Sequence, residues 1–145
     1  MRVTNISLQK IDGFTRASAD ITWEQANKPP LNFFVETPEQ HASGLWADPN
    51  AILLAVYLAA WHGGEQRIEI DQPICPVLYQ HLKVVIPVLK QWYQDVPHPA
   101  PVIEPLAGFR SHHFDAKESL GLLSCGIDSL GTIRWNQLNI PKDHP

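Results

Sequence analysis

The sequence predicts an α/β protein, in which a small N-terminal α+β domain precedes a single strand–loop–helix unit. Three observations predict this class. Short alternating apolar segments fill the first 35 positions, two apolar segments of helical length follow, and a short apolar strand then leads into a turn of small residues near position 124. A proline-rich stretch sets the expected boundaries: 1–96 for the N-terminal domain, 97–117 for a linker and loop, and 118–145 for the strand–loop–helix unit.

Composition indicates a globular protein rather than a disordered or membrane protein. The chain has 145 residues, of which 44% are hydrophobic and 18% charged, enough to bury a core. The net charge of -4 and the lack of any Lys/Arg cluster argue against nucleic acid as a partner. The longest apolar run, Ala51 to Trp61, is far shorter than the roughly 20 residues of a membrane helix. We therefore expect a cytoplasmic protein without a membrane partner.

The first third of the chain reads as three strands. Val3, Ile6 and Leu8 begin an irregular alternation, and a second strand alternates cleanly from Ala17 to Trp23. Asp12-Gly13 between them is a turn signal. A third strand, Leu31 to Val35, stops at Pro38. Three neighbouring short strands predict a meander or a small antiparallel sheet.

Two helices and a strand follow. Asp48-Pro49 can open a helix that runs to about His62 and ends at Gly63-Gly64; its apolar residues lie on nearly all sides, which predicts a buried helix. Arg67 to Asp71 predicts a strand. From Pro76 a second helix carries an apolar stripe, with Pro87 inside it as an expected kink or break. The stripe comprises Leu78, Leu82, Val85, Leu89 and Trp92.

The remaining segments predict a linker and one further unit. Three prolines lie between Val96 and Pro101, a composition that favours an extended, semi-rigid connection. Val102-Ile103 is a candidate short strand. Leu120 to Leu123 is a short apolar strand, and Gly126 to Gln137 reads as a helix closed off by Pro141.

The turn between this last strand and helix has the composition of a phosphate-binding loop. Amides at a helix start point outward, and the helix dipole adds partial positive charge. Glycine lets the backbone approach oxygen atoms closely, serine hydroxyls add donors, and a carboxylate can hold Mg2+ against phosphate. These parts occur in the required order: Ser124, Gly126, Asp128 and Ser129.

Ser124-Cys125-Gly126-Ile127-Asp128-Ser129 resembles the Ser-Gly-Gly-x-Asp-Ser loop of the PP-loop ATP pyrophosphatases. The flanking residues, Leu122-Leu123 and Leu130 to Ile133, are similar to that family's strand and helix. The upstream half also resembles the N-terminal region of proteins similar to 7-cyano-7-deazaguanine synthase. In those proteins a strand like Arg67 to Asp71 and a helix ending in Trp-Tyr, here Trp92-Tyr93, precede the loop.

The resemblance implies an ATP-dependent ligase or synthase that adenylates a substrate and releases AMP and pyrophosphate. It implies ATP and Mg2+ as cofactors and a small molecule as the second substrate. Carried over by position, Ser124, Gly126 and Ser129 would contact pyrophosphate within a loop that includes Cys125 and Ile127. Asp128 would serve as the catalytic and metal-binding residue, acting through Mg2+ or through loop geometry.

Two departures from the family pattern leave a second function open. Cys125 stands where the family usually has glycine, and its side chain would crowd a bound phosphate. Only 16 residues, 130–145, follow Ser129, so we expect a truncated nucleotide domain and no ATP hydrolysis by this chain alone. The alternative is a non-catalytic binding or adaptor module with a degenerate loop. The strand Leu120 to Leu123 would lack most of its parallel neighbours in a truncated domain, so we also expect self-association through residues after Pro101.

Other candidate residues have weaker support. His112-His113 could ligate a metal, but neighbouring side chains on an extended segment point apart, which favours loop packing. Cys125 near a helix start could be a nucleophile, although no base is evident and a small buried residue is the preferred interpretation. Cys75 and Cys125 form no zinc-type spacing, and a disulfide between them stays open. The five tryptophans favour core or interface positions over a stacking platform.

Overall fold

The computed structural model describes residues 1–111 and 126–139, which belong to two compact units, Met1–His112 and His113–Pro145. The first unit is a mixed α/β fold built on a five-stranded sheet. The described part of the second unit is one helix. The elements in chain order are β1 (Arg2–Ile11), β2 (Phe14–Thr22), β3 (Leu31–Pro38), a 3-10 helix (Glu39–Gly44), α1 (Pro49–His62), β4 (Arg67–Ile70), α2 (Pro76–Trp92), β5 (Val102–Pro105) and α3 (Ile127–Asn139).

The first three strands form the predicted antiparallel meander. The strand order across the sheet is β3-β2-β1-β4-β5, and β2 pairs in antiparallel fashion with β1 and β3. Asp12 and Gly13 make the turn between β1 and β2, both with positive φ, 48° and 82°. Glycine adopts such angles without steric penalty, and aspartate is among the residues that tolerate them. The alternation and the turn signal are therefore confirmed.

The last two strands extend the sheet in parallel with β1. β4 pairs with β1 only at Arg2↔Glu69 and Val3↔Ile70, and β5 pairs with β4 along its whole length. Val102–Pro105, in the stretch that the sequence analysis assigns to a linker, is thus a strand of the first unit's sheet. Two parallel neighbours must be joined by a crossover connection. Helix α1 lies in the connection from β1 to β4, and α2 lies in the connection from β4 to β5.

Helix α1 begins where the sequence predicts, because the Asp48 side chain caps it. The Asn50 amide donates to Asp48 Oδ1 at 2.8 Å, and proline occupies the first helical position. The expectation of burial on nearly all sides is wrong. Leu54 and Leu58 are 53% and 48% exposed, because the helix covers a single sheet and only its inner side meets the strands.

Helix α2 contacts the core through a stripe that differs from the predicted one at two positions. Leu82 and Ile86 are its buried residues, and Ile86 is absent from the predicted set. Trp92 is 72% exposed, since it lies in the last turn, beyond Leu89, which still packs against the core. The helix continues through Pro87, which lies on the exposed side, so the predicted break does not occur.

One core lies between the sheet and both helices of the first unit. Inward side chains of the strands and the inner sides of α1 and α2 form a single cluster of buried residues. The Tyr57 hydroxyl of α1 donates to the Leu82 carbonyl of α2 at 2.9 Å, which ties the two helices together on that face. The other face of the sheet is lined mainly by polar and charged side chains and is called the open face below. Within the described ranges, no helix combines the length and apolarity that crossing a membrane requires.

Candidate functional site

The predicted phosphate loop lies partly within the described residues. Ser124 and Cys125 fall outside them, as does the predicted strand Leu120 to Leu123. Gly126 directly precedes α3, and Ile127, Asp128 and Ser129 form its first turn. The observed helix, Ile127–Asn139, matches the segment predicted from Gly126 to Gln137.

Local hydrogen bonds explain why the helix starts at this point. The Leu130 amide donates to the Gly126 carbonyl at 3.1 Å, which closes the first helical turn. The Ser129 hydroxyl donates to the same carbonyl at 3.0 Å, and the Thr132 hydroxyl donates to the Asp128 carbonyl at 2.9 Å. The earliest amides of an α-helix have no partner within the helix and point along its axis. Gly126 and the residues of the first turn therefore lie at the helix end that attracts anions.

The side chains of this turn are accessible. Asp128 is exposed, Ser129 is half-buried and Ile127 is 86% exposed. Among the residues that the structure describes, no three His, Cys, Asp or Glu side chains converge in a way that could hold a metal ion. Mg2+ beside a nucleotide is usually held by one or two carboxylates together with phosphate oxygens and water, and the exposed Asp128 carboxylate is of the type that could serve as one of those ligands.

A second polar feature lies on the open face of the first unit. A concavity of about 510 Å3 follows the irregular part of β1, between Thr4 and Ser7. Asn5 at this bulge has a φ of 55°, and its amide donates to Asp71 Oδ2 at 3.2 Å. The broken alternation of Val3, Ile6 and Leu8 is the sequence signal of this bulge. The concavity is lined by Asn5, Ile6, Ser7, Gln9, Ser18, Asp20 and Asn32.

The carboxylate in this concavity is already well supplied with donors. Asn5 Nδ2 donates to one oxygen of Asp20 at 2.9 Å, and Asn32 Nδ2 donates to the other at 2.7 Å. These two bonds hold the pKa of Asp20 below its ordinary value. Asp20 therefore stays ionised at neutral pH and joins three strands together; it is not placed to act as a general acid.

A buried carboxylate organises the start of β1. Glu65 is 1% exposed, and its Oε2 lies 2.5 Å from the Met1 ammonium nitrogen. The same carboxylate accepts backbone amides of Glu24, Gln25 and Ala26 at 2.9–3.1 Å. Burial raises the pKa of Glu65, but the amide and ammonium donors outweigh it, so the pKa is lowered. The Glu65 carboxylate is therefore held as an anion by the Met1 ammonium and by the three backbone amides.

Glu24 extends this cluster to the surface. Arg67 donates to both of its oxygens, at 3.0 and 2.9 Å, and the Met1 ammonium donates at 3.0 Å. The Arg67 bonds, together with the Met1 charge, lower the pKa of Glu24 to about 2. Sequence reasoning did not identify this cluster, because its members are far apart in the chain and follow no motif. Its chemistry is structural: every charge in it already has a partner.

The remaining sequence candidates are placed as follows. His112, His113 and Cys125 lie outside the described residues, and Cys75 is a free, half-buried thiol. Of the tryptophans, Trp61 is buried in the core and Trp23 packs against it. A core position does not hold for the other three: Trp46, Trp92 and Trp135 are 67%, 72% and 62% exposed.

Comparisons with protein-family models, with curated proteins and with solved structures find no match to this chain.

Proposed function

We propose that the chain binds the phosphates of Mg-ATP at the loop Ser124–Ser129, as a PP-loop protein related to ATP pyrophosphatases such as 7-cyano-7-deazaguanine synthase. One observation carries the proposal. The Ser-Cys-Gly-Ile-Asp-Ser motif leads directly into a helix that begins at Ile127. The amides of that first turn therefore point towards the loop, which is what an anion at this position requires.

The proposed roles follow from the chemistry of each group. Ser124, Gly126 and Ser129 supply hydroxyl and backbone donors to pyrophosphate, as the resemblance implies. The Ser129 hydroxyl already reaches the Gly126 carbonyl; by rotating about its side-chain bond it can instead donate to a phosphate oxygen. Asp128, exposed on the first turn, supplies a carboxylate oxygen to Mg2+. Catalysis in such a site is mostly positioning and charge stabilisation.

The adaptor hypothesis is the second candidate, and Cys125 favours it. A thiol side chain occupies the place where the family has bare backbone. The described strands and helices of the first unit, moreover, bury a hydrophobic core that includes no residue of the loop. In this alternative the loop binds no nucleotide, and the first unit is the functional part.

A calorimetric titration with Mg-ATP, repeated with Mg-pyrophosphate, separates the two functions. If the loop holds phosphates, both ligands bind at one site and pyrophosphate competes with ATP. The Cys125→Gly variant should bind at least as tightly as the wild type, because glycine removes the crowding side chain. Asp95→Asn, an exposed aspartate outside the loop, is the control and should leave the affinity unchanged. Absence of binding in both the wild type and Cys125→Gly would favour the adaptor function.

A further inference from the structure

The two edges of the sheet differ in how well they are protected against another strand. Within the described residues, β3 and β5 are the edge strands. β5 has four residues and ends in Pro105, and short length and proline are two of the devices that blunt an edge. β3 has eight residues, reaches proline only at its last position and contains no lysine. The β3 edge can therefore accept another strand, and the β5 edge is poorly suited to do so.

The backbone of β3 presents its outward groups in a defined order. The Glu39 amide donates to the Gly13 carbonyl at 2.9 Å, just beyond the end of the β2–β3 ladder. Hydrogen-bonded and non-hydrogen-bonded positions alternate along an antiparallel pair. Glu39 and Gly13 therefore occupy a hydrogen-bonded position, and such positions recur at every second residue before Glu39. The odd-numbered residues of β3 thus form the backbone hydrogen bonds to β2. Three residues consequently direct both backbone groups to the outer edge: Asn32, Phe34 and Glu36.

These three residues are self-complementary about a two-fold axis through Phe34. When two β3 strands run antiparallel with Phe34 opposite Phe34, each Asn32 lies opposite the other strand's Glu36. All three pairs then fall on hydrogen-bonded positions, which gives six backbone hydrogen bonds. Side chains of directly opposed residues lie close enough to interact, so two aromatic rings meet each other. The Asn32 amide meets the Glu36 carboxylate, one oxygen of which already accepts Arg16 at 2.7 Å in its own copy.

The opposite face of β3 is complementary in the same register. Phe33 lies opposite the second strand's Val35, and Leu31 lies opposite Thr37. Phe33 and Val35 also line an apolar concavity of about 350 Å3 beside α1, so the new contacts continue an apolar surface. Leu31 and Val35 are 49% and 52% exposed, and the pairing would cover them.

Two other two-fold registers, centred on the flanking edge residues Glu36 and Asn32, are less favourable. A register centred on Glu36 places two carboxylates directly opposite each other, and like charges in that position are destabilising. A register centred on Asn32 places Phe34 opposite Pro30, which has no amide hydrogen to donate. The register centred on Phe34 avoids both defects.

We propose that β3 pairs with β3 of a second copy of this chain, centred on Phe34, to join the described strands of both copies into one continuous sheet. The surface lies in the first unit, whereas the sequence predicts association through residues after Pro101. The two expectations therefore name different residues and can be distinguished. The proposal is also independent of nucleotide binding at the loop.

Sedimentation equilibrium of the full chain over a concentration series reaching the millimolar range tests the proposal. The wild type should show a reversible monomer–dimer equilibrium. Phe34→Pro should weaken the dimer by about tenfold to a hundredfold, because it removes the two central hydrogen bonds. The monomer should keep its fold, since the amide at this position points away from β2; circular dichroism and urea unfolding check this.

Charge variants at one position provide a test that does not depend on proline. Asn32→Lys faces the second copy's Glu36 and should tighten the dimer, whereas Asn32→Glu creates a like-charge pair and should weaken it. Both variants lose the same hydrogen bond to Asp20, but they place opposite charges beside that carboxylate, so urea unfolding of each monomer accompanies the comparison. Val84→Lys, at an exposed site on α2, should have no effect, as should Leu138→Lys on α3.

Three results would overturn the proposal. The first is a wild type that stays monomeric throughout the concentration series. The second is a dimer that Phe34→Pro leaves intact, or that responds equally to the two Asn32 variants. The third is loss of the dimer in Val84→Lys or Leu138→Lys with retention in Phe34→Pro, which would place the association on a helix.

Discussion

The Met1 ammonium nitrogen lies 2.5 Å from Oε2 of Glu65, and both side chains are buried. This contact joins the first residue of the described fold to the segment between α1 and β4. Three backbone amides from residues 24–26 complete the shell of donors around the carboxylate. A single buried anion thus connects β1, the turn after β2 and the approach to β4.

Replacing Glu65 with glutamine should cost about 3–5 kcal/mol of unfolding free energy. The substitution removes the fully buried carboxylate and leaves the ammonium with the partly exposed Glu24 as its remaining anion among the described residues, and removing one partner of a buried pair carries a cost of this size. Glu104→Gln is the control: Glu104 also accepts a charged donor, Arg67, but its side chain is 40% exposed. Surface pairs contribute about 0–1 kcal/mol. Urea denaturation of the two variants at neutral pH provides the comparison, and equal losses would contradict the central role of Glu65.

Stability should decline on acidification in a window defined by Glu24 and Glu65. The pKa of Glu24 is about 2 in the folded chain, against an ordinary 4.5, and that of Glu65 is also lowered. A lowered folded-state pKa gives stability that is present above the unfolded-state pKa and is lost as pH falls through the folded value. The loss should therefore begin near pH 4.5 and continue towards pH 2.

Thermal unfolding midpoints measured from pH 7 to pH 2 test this window. Glu24→Gln should start from a lower midpoint at pH 7 and follow a flatter profile below pH 4.5, because it has no carboxylate to protonate at this site. If the wild-type and variant midpoints ran parallel between pH 4.5 and pH 2, protonation of Glu24 would make no contribution to the loss of stability.

Gly13 should be much less replaceable than Gly44, although both have open space where a Cβ would lie. Apart from the glycine itself and its two chain neighbours, no heavy atom lies within 4 Å of that position at either residue, but Gly13 has a φ of +82°. A side chain in this backbone region costs about 1–2 kcal/mol. Gly13→Ala should therefore lose about that much unfolding free energy, and Gly44→Ala should be neutral or slightly stabilising. If both substitutions changed the unfolding free energy by the same amount, the positive φ of Gly13 would not explain the requirement for glycine in this turn.

Local sequence signals predict the parts of this fold that form from neighbouring residues. The alternation from Ala17 to Ile21 and the Asp12-Gly13 turn predict the meander, and Asp48-Pro49 predicts the start of α1. These features depend on residues within a few positions of one another. The same holds for α3, whose first turn is closed by the Gly126 carbonyl.

Features that depend on distant residues were not predictable in this way. Glu65 finds its ammonium partner 64 positions away, and no pattern in the chain indicates that an acidic residue there is buried. The parallel pairing of β4 with β1 and β5 likewise depends on crossovers rather than on local periodicity. Leu54 and Leu58 are as apolar as core residues, and only the single-sheet architecture explains their exposure.

Titration of Mg-ATP into the wild type and into Asp128→Asn is the most direct test of the proposed nucleotide site. We expect saturable, Mg2+-dependent binding to the wild type. Asp128→Asn should weaken it by about 1–3 kcal/mol, the range for contacts between charged groups, because a neutral amide attracts the ion less strongly than a carboxylate does. An affinity that is the same in the wild type, in Asp128→Asn and in Cys125→Gly would place the nucleotide elsewhere and contradict the assignment of the loop.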